Sequence, residues 1–446
     1  MTPSEVMVKW RAARATNLPA LTQQRWLRYV AFSVLYAAQG LPYGFIVVAL
    51  PAFLAERGLS AAQIGSFIGI ALLPVSMKLL VAPLMDRWSF LPMGRRRPWV
   101  LAAQLGMALS FAAFALVAQP LAHLTWLTIA GFAAYFFIAF QDVAVDGMAI
   151  DVVPLQEQAR TNGVMRGSML LGMSGSTAGV SWLLNHWGLP PTALLVSGMM
   201  VAIMVVPLLL RERPGERLLP WSSGEASAQA TLSTAPNWKS IGRNLVQVLV
   251  LPSSLALAGT ILACRAASGL LEAALTVITV QELGWQDTTF TQLNASGYLA
   301  AGLIGMLLGG RLVDTIGRKR AMTAAALVLM VATVLLGAGP HLWPERGVVS
   351  SYIIAYLLLD MVFTIGFYAT AMALCAPRVA ATQFALYMAL SNFAFSVGAS
   401  RLGILKDTFG SAHLLFWVAG GLALGALLLQ LIQFNVHRQR LDALEK

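Results

Sequence analysis

The chain has 446 residues, 58% of them hydrophobic and only 11% charged, with a mean hydropathy of +0.72 and a net charge of +11. Soluble domains carry about 25% charged residues, so this composition excludes an ordinary water-soluble protein and makes lipid the solvent for much of the surface. The positive charges sit in short connections between apolar runs, a topology pattern, and no basic–aromatic module of a nucleic-acid binder accompanies them.

The first 26 residues are polar and basic, with no A-x-A-like cleavage site before the first apolar run, and read as preceding a retained first helix. Apolar runs separated by turn signals then predict twelve spans, with cores at 29–54, 61–84, 99–118, 124–148, 162–184, 191–210, 250–281, 288–312, 321–338, 349–375, 381–403 and 411–435. Twelve spans place both termini on one side. With that side cytoplasmic, the inner segments hold 23 Lys and Arg, and the outer connections hold three: Arg57, Arg346 and Lys406. This bias predicts cytoplasmic termini. The connection 211–249, rich in Ser, Ala, Gly and Pro, has the composition of a flexible linker. The expected organisation is a first unit over 1–210, a linker over 211–249 and a second unit over 250–446.

A basic turn recurs at the same place in each unit. Asp86 and Arg87 end the second span, followed by Gly94, Arg95, Arg96 and Arg97. Further on, 228 residues past Asp86, Asp314 is followed by Gly317, Arg318, Lys319 and Arg320. Glycine permits the tight turn, the basic run holds it inside, and an aspartate at a helix end among cations suits a charge-assisted latch. With Lys78, these residues are candidate gating groups.

Ionisable groups within the spans are costly and mark functional interiors. Lys78 lies roughly 12 Å from the inner end of span two. Asp142 and Asp146 share a face of span four by their i, i+4 spacing, and Arg166 sits about one turn into span five. These four fall at one depth. They form either a site that holds a proton or a fixed salt-bridge network. In the second unit, Arg265 and Glu272 lie seven apart on span seven, hence on one face, and Asp360 is near the middle of span ten. Proton coupling is expected of Asp142, Asp146, Glu272 and Asp360. Gln39, Tyr43, Gln141, Arg166 and Arg265 are the candidate substrate contacts, and a buried Arg265–Glu272 pair is the structural alternative. Asn294 and Asn392 are weaker polar candidates. The glycines of GVMRG and GSTAG in span five, and Gly302, Gly305, Gly309 and Gly310 in span eight, have the spacing of close helix contacts.

Cys264 and Cys375 lie in apolar runs and the five histidines are scattered, so no disulfide framework, metal site or cofactor is expected. The chain lacks G-x-x-x-x-G-K-[ST], which argues against ATP-driven pumping. It also lacks a Ser–His or His–carboxylate grouping of the kind a membrane-embedded transferase would need, so no enzyme is expected.

GGRLVDTIGRKR resembles the signature loop of the major facilitator superfamily, and its recurrence in both units carries that resemblance across the chain. The resemblance implies an all-α membrane protein, with twelve transmembrane helices in two six-helix bundles around a central cavity and alternating access. Lys78 with APLMDR and GRRR, QGLPYG around Gly40–Pro42, and QDVAVDGMAIDVVP over 141–154 resemble AmpG-type muropeptide permeases. The Q-D-x-x-x-D pattern is similar to that of acetyl-CoA transporters and some siderophore permeases. The resemblance implies a monomeric secondary transporter of the inner membrane, its partners a polar organic solute, protons and the lipid bilayer. The solute is a muropeptide first, a siderophore or acetyl-CoA-like anion second.

Overall fold

A computed structural model describes residues 20–88, 90–117, 119–227, 246–376 and 380–445. Among them the fold is all-helical, apart from one isolated bridge between Ala20 and Arg211. The helices are α1 (Arg25–Glu56), α2 (61–87), α3 (Arg97–Phe114), α4 (Leu124–Val152), α5 (Leu155–Trp187), α6 (Leu189–Leu209), α7 (Pro252–Glu282), α8 (287–316), α9 (Arg318–Ala338), α10 (Arg346–Leu374), α11 (Ala380–Ser400), α12 (Leu402–Gln430) and α13 (Phe434–Glu445). Seven of these, α1, α4, α6, α7, α9, α10 and α12, are long and apolar enough to cross a membrane. Their outward faces carry exposed Leu194, Leu255, Leu335 and Leu427, as expected where lipid replaces water.

Local sequence explains where the helices begin and break. Ser60 and Gln63 form a reciprocal capping box at the start of α2. Pro74 falls in a 3-10 turn over Leu73–Met77, so α2 is broken just before Lys78 and is not the continuous helix that the depth argument assumed. In α1, Pro42 withholds one backbone donor, and the helix widens into a π turn over Gly44–Ala49. The run at 411–435 also differs from expectation. α12 starts at Leu402, kinks at Gly410, where φ is +76°, and stops at Gln430, and the polar tail forms α13.

Two crossings organise the packing. α1 lies along α5, and α7 lies along α11. At the first crossing a Cβ on Gly40 would sit 2.1 Å from the Met169 carbonyl oxygen, and one on Gly172 would sit 2.2 Å from that of Ala37. At the second, a Cβ on Gly269 would sit 2.0 Å from the Phe395 oxygen, and one on Gly398 would sit 1.9 Å from that of Ala266. Each crossing is therefore backbone against backbone, with a glycine from each helix. None of these four glycines is in the spacing motifs read from sequence. Of the motif glycines, Gly163, Gly175 and Gly179 have nothing within 4 Å of a built Cβ. Four-residue spacing aligns glycines on one face without saying which face meets a neighbour. Gly302 and Gly305 do pack, against Leu170 and Met361.

α5 runs antiparallel to α8, since Leu170 meets Gly302, Ser174 meets Ala295 and Asn185 meets Asp287. α2 runs antiparallel to α11 in the same way, through Gly65 against Ala399 and Gly69 against Ser396. The basic turns thus share one end of the molecule. At the opposite end the two sequence units are sewn together. Ser174 Oγ donates to the Ala295 carbonyl at 2.8 Å, Ser396 Oγ donates to that of Gly69, and Gln281 Nε2 donates to those of Ala55 and Leu59 at 3.1 and 2.5 Å. Asn185 Nδ2 donates to both Asp287 carboxylate oxygens at 2.8 Å.

Candidate functional site

Four ionisable residues predicted to share a depth do converge inside the first unit. The Lys78 ammonium donates to Asp142 Oδ2. Asp146, one turn along α4, accepts the Tyr36 hydroxyl of α1. Arg166 on α5 reaches neither aspartate. Its guanidinium carbon lies 5.9 Å from the Tyr36 ring centroid and 4.7 Å from that of Tyr368 on α10. Gln141 Nε2 donates to the Leu35 carbonyl at 3.3 Å, while its Oε1 and the Nε2 of Gln39 are buried without a partner. An orphaned amide donor and an orphaned amide acceptor in one interior are uncommon, because each costs about 1–3 kcal/mol unless something else satisfies it.

In the second unit the pairing differs from the face argument. Arg265 does not bond Glu272, seven residues on. Its Nη1 donates to Asp360 Oδ1 of α10 at 2.9 Å, and Ser268 Oγ reaches the same oxygen at 3.3 Å. Glu272 instead accepts two hydroxyls, from Tyr298 of α8 at 2.8 Å and from Tyr356 of α10 at 2.7 Å. Tyr43 of α1 meets the Tyr298 ring edge-on at 6.1 Å, which links a predicted substrate contact in one unit to the carboxylate in the other. Asn294, a weaker candidate, turns back onto the Phe290 carbonyl at 2.9 Å within its own helix.

The interior thus holds two ion pairs, Lys78–Asp142 and Arg265–Asp360, and two carboxylates held by tyrosines, Asp146 and Glu272. Tyr36, Tyr298, Tyr356, Tyr368 and Ser268 were not picked out from the sequence. Nothing local marks them, since a tyrosine in an apolar span serves equally well at a lipid interface or in plain packing. The useful signal would have been the unpaired carboxylates, which need donors from elsewhere.

The expected aspartate latch of the basic turns falls on the side chains of Asp86, Arg87 and Asp314, which lie outside the described residues. Gly94 and Gly317 do play one role in the two copies, each with positive φ, +99° and +89°, just before the third helix of its unit. In the first copy the Glu212 carboxylate accepts the backbone N–H groups of Arg95, Arg96 and Arg97 at 3.0, 2.8 and 2.5 Å. A carboxylate on the free N–H groups at the start of α3 satisfies both the donors and the helix dipole. Arg97, buried, donates to the carbonyls of Pro207, Leu208, Arg217 and Leu218 at 2.5–3.0 Å. Arg96 approaches Asp151 at 3.8 Å. In the second copy Lys319 bonds the carbonyls of Gln430 and Ile432, and Arg318 bonds that of Ala369. Each run thus places a cation on the closing carbonyls of its unit's sixth helix, α6 or α12, where the helix dipole is negative. Arg28 adds an ion pair to Glu157 at 2.7 Å at the same end.

This clamp also corrects the linker. Arg211, Glu212 and Glu216 are buried, so the start of the 211–249 connection is packed structure, while 228–245 lies outside the described residues. Burial first, then the neighbouring Glu212 carboxylate, pushes the Glu216 carboxyl up to about 7. The folded chain therefore holds this proton more tightly than a free glutamate does. The stability so gained is full below the ordinary glutamate range and is lost as pH rises through about 7. Amide exchange over 211–227, corrected for intrinsic rates, is expected to be slower at about pH 5.5 than at about pH 8. Glu216→Gln should flatten that difference, and a variant with the parent's pH dependence would refute the assignment.

Comparison with known proteins follows this geometry. The model of the Major Facilitator Superfamily matches residues 32–400. The anhydromuropeptide permease of Escherichia coli strain K12 is 27% identical over 390 residues, which cover 85% of this chain and 74% of that protein, and its counterpart in Escherichia coli O157:H7 matches equally. An uncharacterized protein of Haemophilus influenzae is 32% identical over 114 residues, 26% of each chain.

Proposed function

The chain belongs to the major facilitator superfamily, and from that premise we propose that it is a proton-coupled secondary transporter that carries a sugar-peptide of the anhydromuropeptide class inward across an inner membrane. Similarity to the anhydromuropeptide permease along 85% of the chain supports the solute class. The observation that carries the reading is the interior itself. Charged groups of α2, α4, α7 and α10 are matched with partners inside the protein, where they serve neither topology nor solubility.

The helices form two six-helix bundles, 1–210 and 250–446, joined through 211–249, with twelve crossings and both termini cytoplasmic. The matched glycine crossings of α1 with α5 and α7 with α11 support this division, as do the matched cation caps on α6 and α12. With the basic turns cytoplasmic, the seam of Ser174, Gln281 and Ser396 closes the outer side, and this conformation faces the cytoplasm. Glu272 is a coupling site, because its hydrogen bonds come from neutral tyrosines and a proton can come and go without breaking an ion pair. Lys78–Asp142 and Arg265–Asp360 fix helix positions until the halves move.

Reconstituted vesicles test this. Labelled N-acetylglucosaminyl-anhydromuramyl peptide should accumulate under an imposed pH gradient, and a protonophore should abolish accumulation while solute exchange continues. Accumulation that survives the protonophore would rule out proton coupling. Absence of uptake, with siderophore or acetyl-CoA transported instead, would rule out the solute class.

A further inference from the structure

Among the described residues Arg166 is an interior cation with no carboxylate oxygen within 4 Å of its guanidinium, although Asp142 and Asp146 on the neighbouring α4 lie within electrostatic range. Both are already engaged, Asp142 by Lys78 and Asp146 by Tyr36. Among the described residues the one hydrogen-bond acceptor at Arg166 is the thioether of Met169, at 4.0 Å from Nη1. A guanidinium has five N–H donors, all lying in its plane, so nearly its whole donor set is unspent.

Its surroundings hold it for a ligand. The rings of Tyr36 from the first unit and Tyr368 from the second flank the guanidinium carbon at 5.9 and 4.7 Å. Aromatic faces stabilise the charge without using its N–H groups. Arg166 therefore stands where the two units meet, positioned by rings and short of acceptors. A carboxylate is the acceptor that matches the planar N–H fork of Arg166, and the acidic peptide of an anhydromuropeptide carries such groups.

We propose that Arg166 is the anchor for a carboxylate of the transported solute, held by the rings of Tyr36 from one half and Tyr368 from the other. The assignment rests on the solute class proposed above. Since Tyr368 rides on α10 and Arg166 on α5, any motion that separates these helices uncaps one side of the anchor. Binding and release are then tied to the rocking of the halves.

The test compares binding of the anhydromuropeptide with that of its carboxamide derivative to the purified full chain. The parent should prefer the acid by about tenfold or more, as expected for a charge-assisted bidentate contact. Arg166→Ala should bind the acid as weakly as the amide. Arg166→Lys keeps the charge and loses the planar fork, so it should stay folded and show a reduced preference. A full acid preference in either variant overturns the anchor while leaving the transport reading intact. A parent that binds both forms equally also overturns the anchor alone. A parent that binds neither form overturns the solute class and takes the anchor with it, so the two failures are told apart by the parent arm.

Discussion

Glu272→Gln is expected to abolish concentrative uptake while sparing exchange. One coupled proton is worth about 1.4 kcal/mol per pH unit, or roughly a tenfold accumulation. In vesicles with a one-unit gradient, the variant should therefore fall to an accumulation ratio near one. The expectation comes from the company Glu272 keeps. Tyr298 and Tyr356 donate to its two oxygens from different helices, so the charged form is solvated by neutral groups that glutamine can still partly satisfy. Asp142→Asn differs in kind, because it strands the Lys78 ammonium in the interior. Losing one partner of a buried pair costs about 3–5 kcal/mol, so lower yield should accompany its loss of transport. Parent-level accumulation by Glu272→Gln would remove the residue from the coupling scheme.

The second large effect is on folding. Gly398→Ala places a methyl 1.9 Å from the Ala266 carbonyl oxygen. The obstacle is the backbone of a packed helix, which has no flexible end to swing aside. Overpacking of this kind costs about 3 kcal/mol, against a total stability of about 5–15 kcal/mol. The variant should lose most of its monodisperse yield and melt well below the parent. Gly198→Ala on α6 is the control. Its Cβ meets nothing within 4 Å, and alanine is the better helix former by about 1 kcal/mol. Equal melting temperatures for the two variants would mean that the α7–α11 crossing tolerates separation.

The sequence made visible what depends on one helix at a time. Ionisable residues in apolar runs announce themselves, and Lys78, Asp142 and Asp146 do gather at one level. The duplicated turn was also legible, and Gly94 and Gly317 adopt the same backbone in both copies. What escaped depends on how separate helices are set against each other. Face arithmetic on α7 pairs Arg265 with Glu272, yet Asp360 from α10 comes closer. Tyr36, Tyr298 and Tyr356 look like any apolar-span tyrosine until a carboxylate is placed beside them. Gly172 and Gly398 sit in ordinary runs, while Gly163, Gly175 and Gly179, with suggestive spacing, face open space. Glu212 was hidden in a stretch whose composition reads as flexible, because composition reports neither a nest of backbone N–H groups nor the carboxylate that fills it.

The seam at the end opposite the basic turns has a lopsided construction. In all four of its serine and glutamine bonds the donor is a side chain and the acceptor is a main-chain oxygen of the other half. Main-chain acceptors are present whatever residue occupies those positions, so the strength of these bonds is written on one partner only. Each such bond contributes about 1 kcal/mol. Substitutions at Ser174, Gln281 and Ser396 are therefore expected to loosen the joint between the two halves in small, separable steps while leaving the interior ion pairs in place.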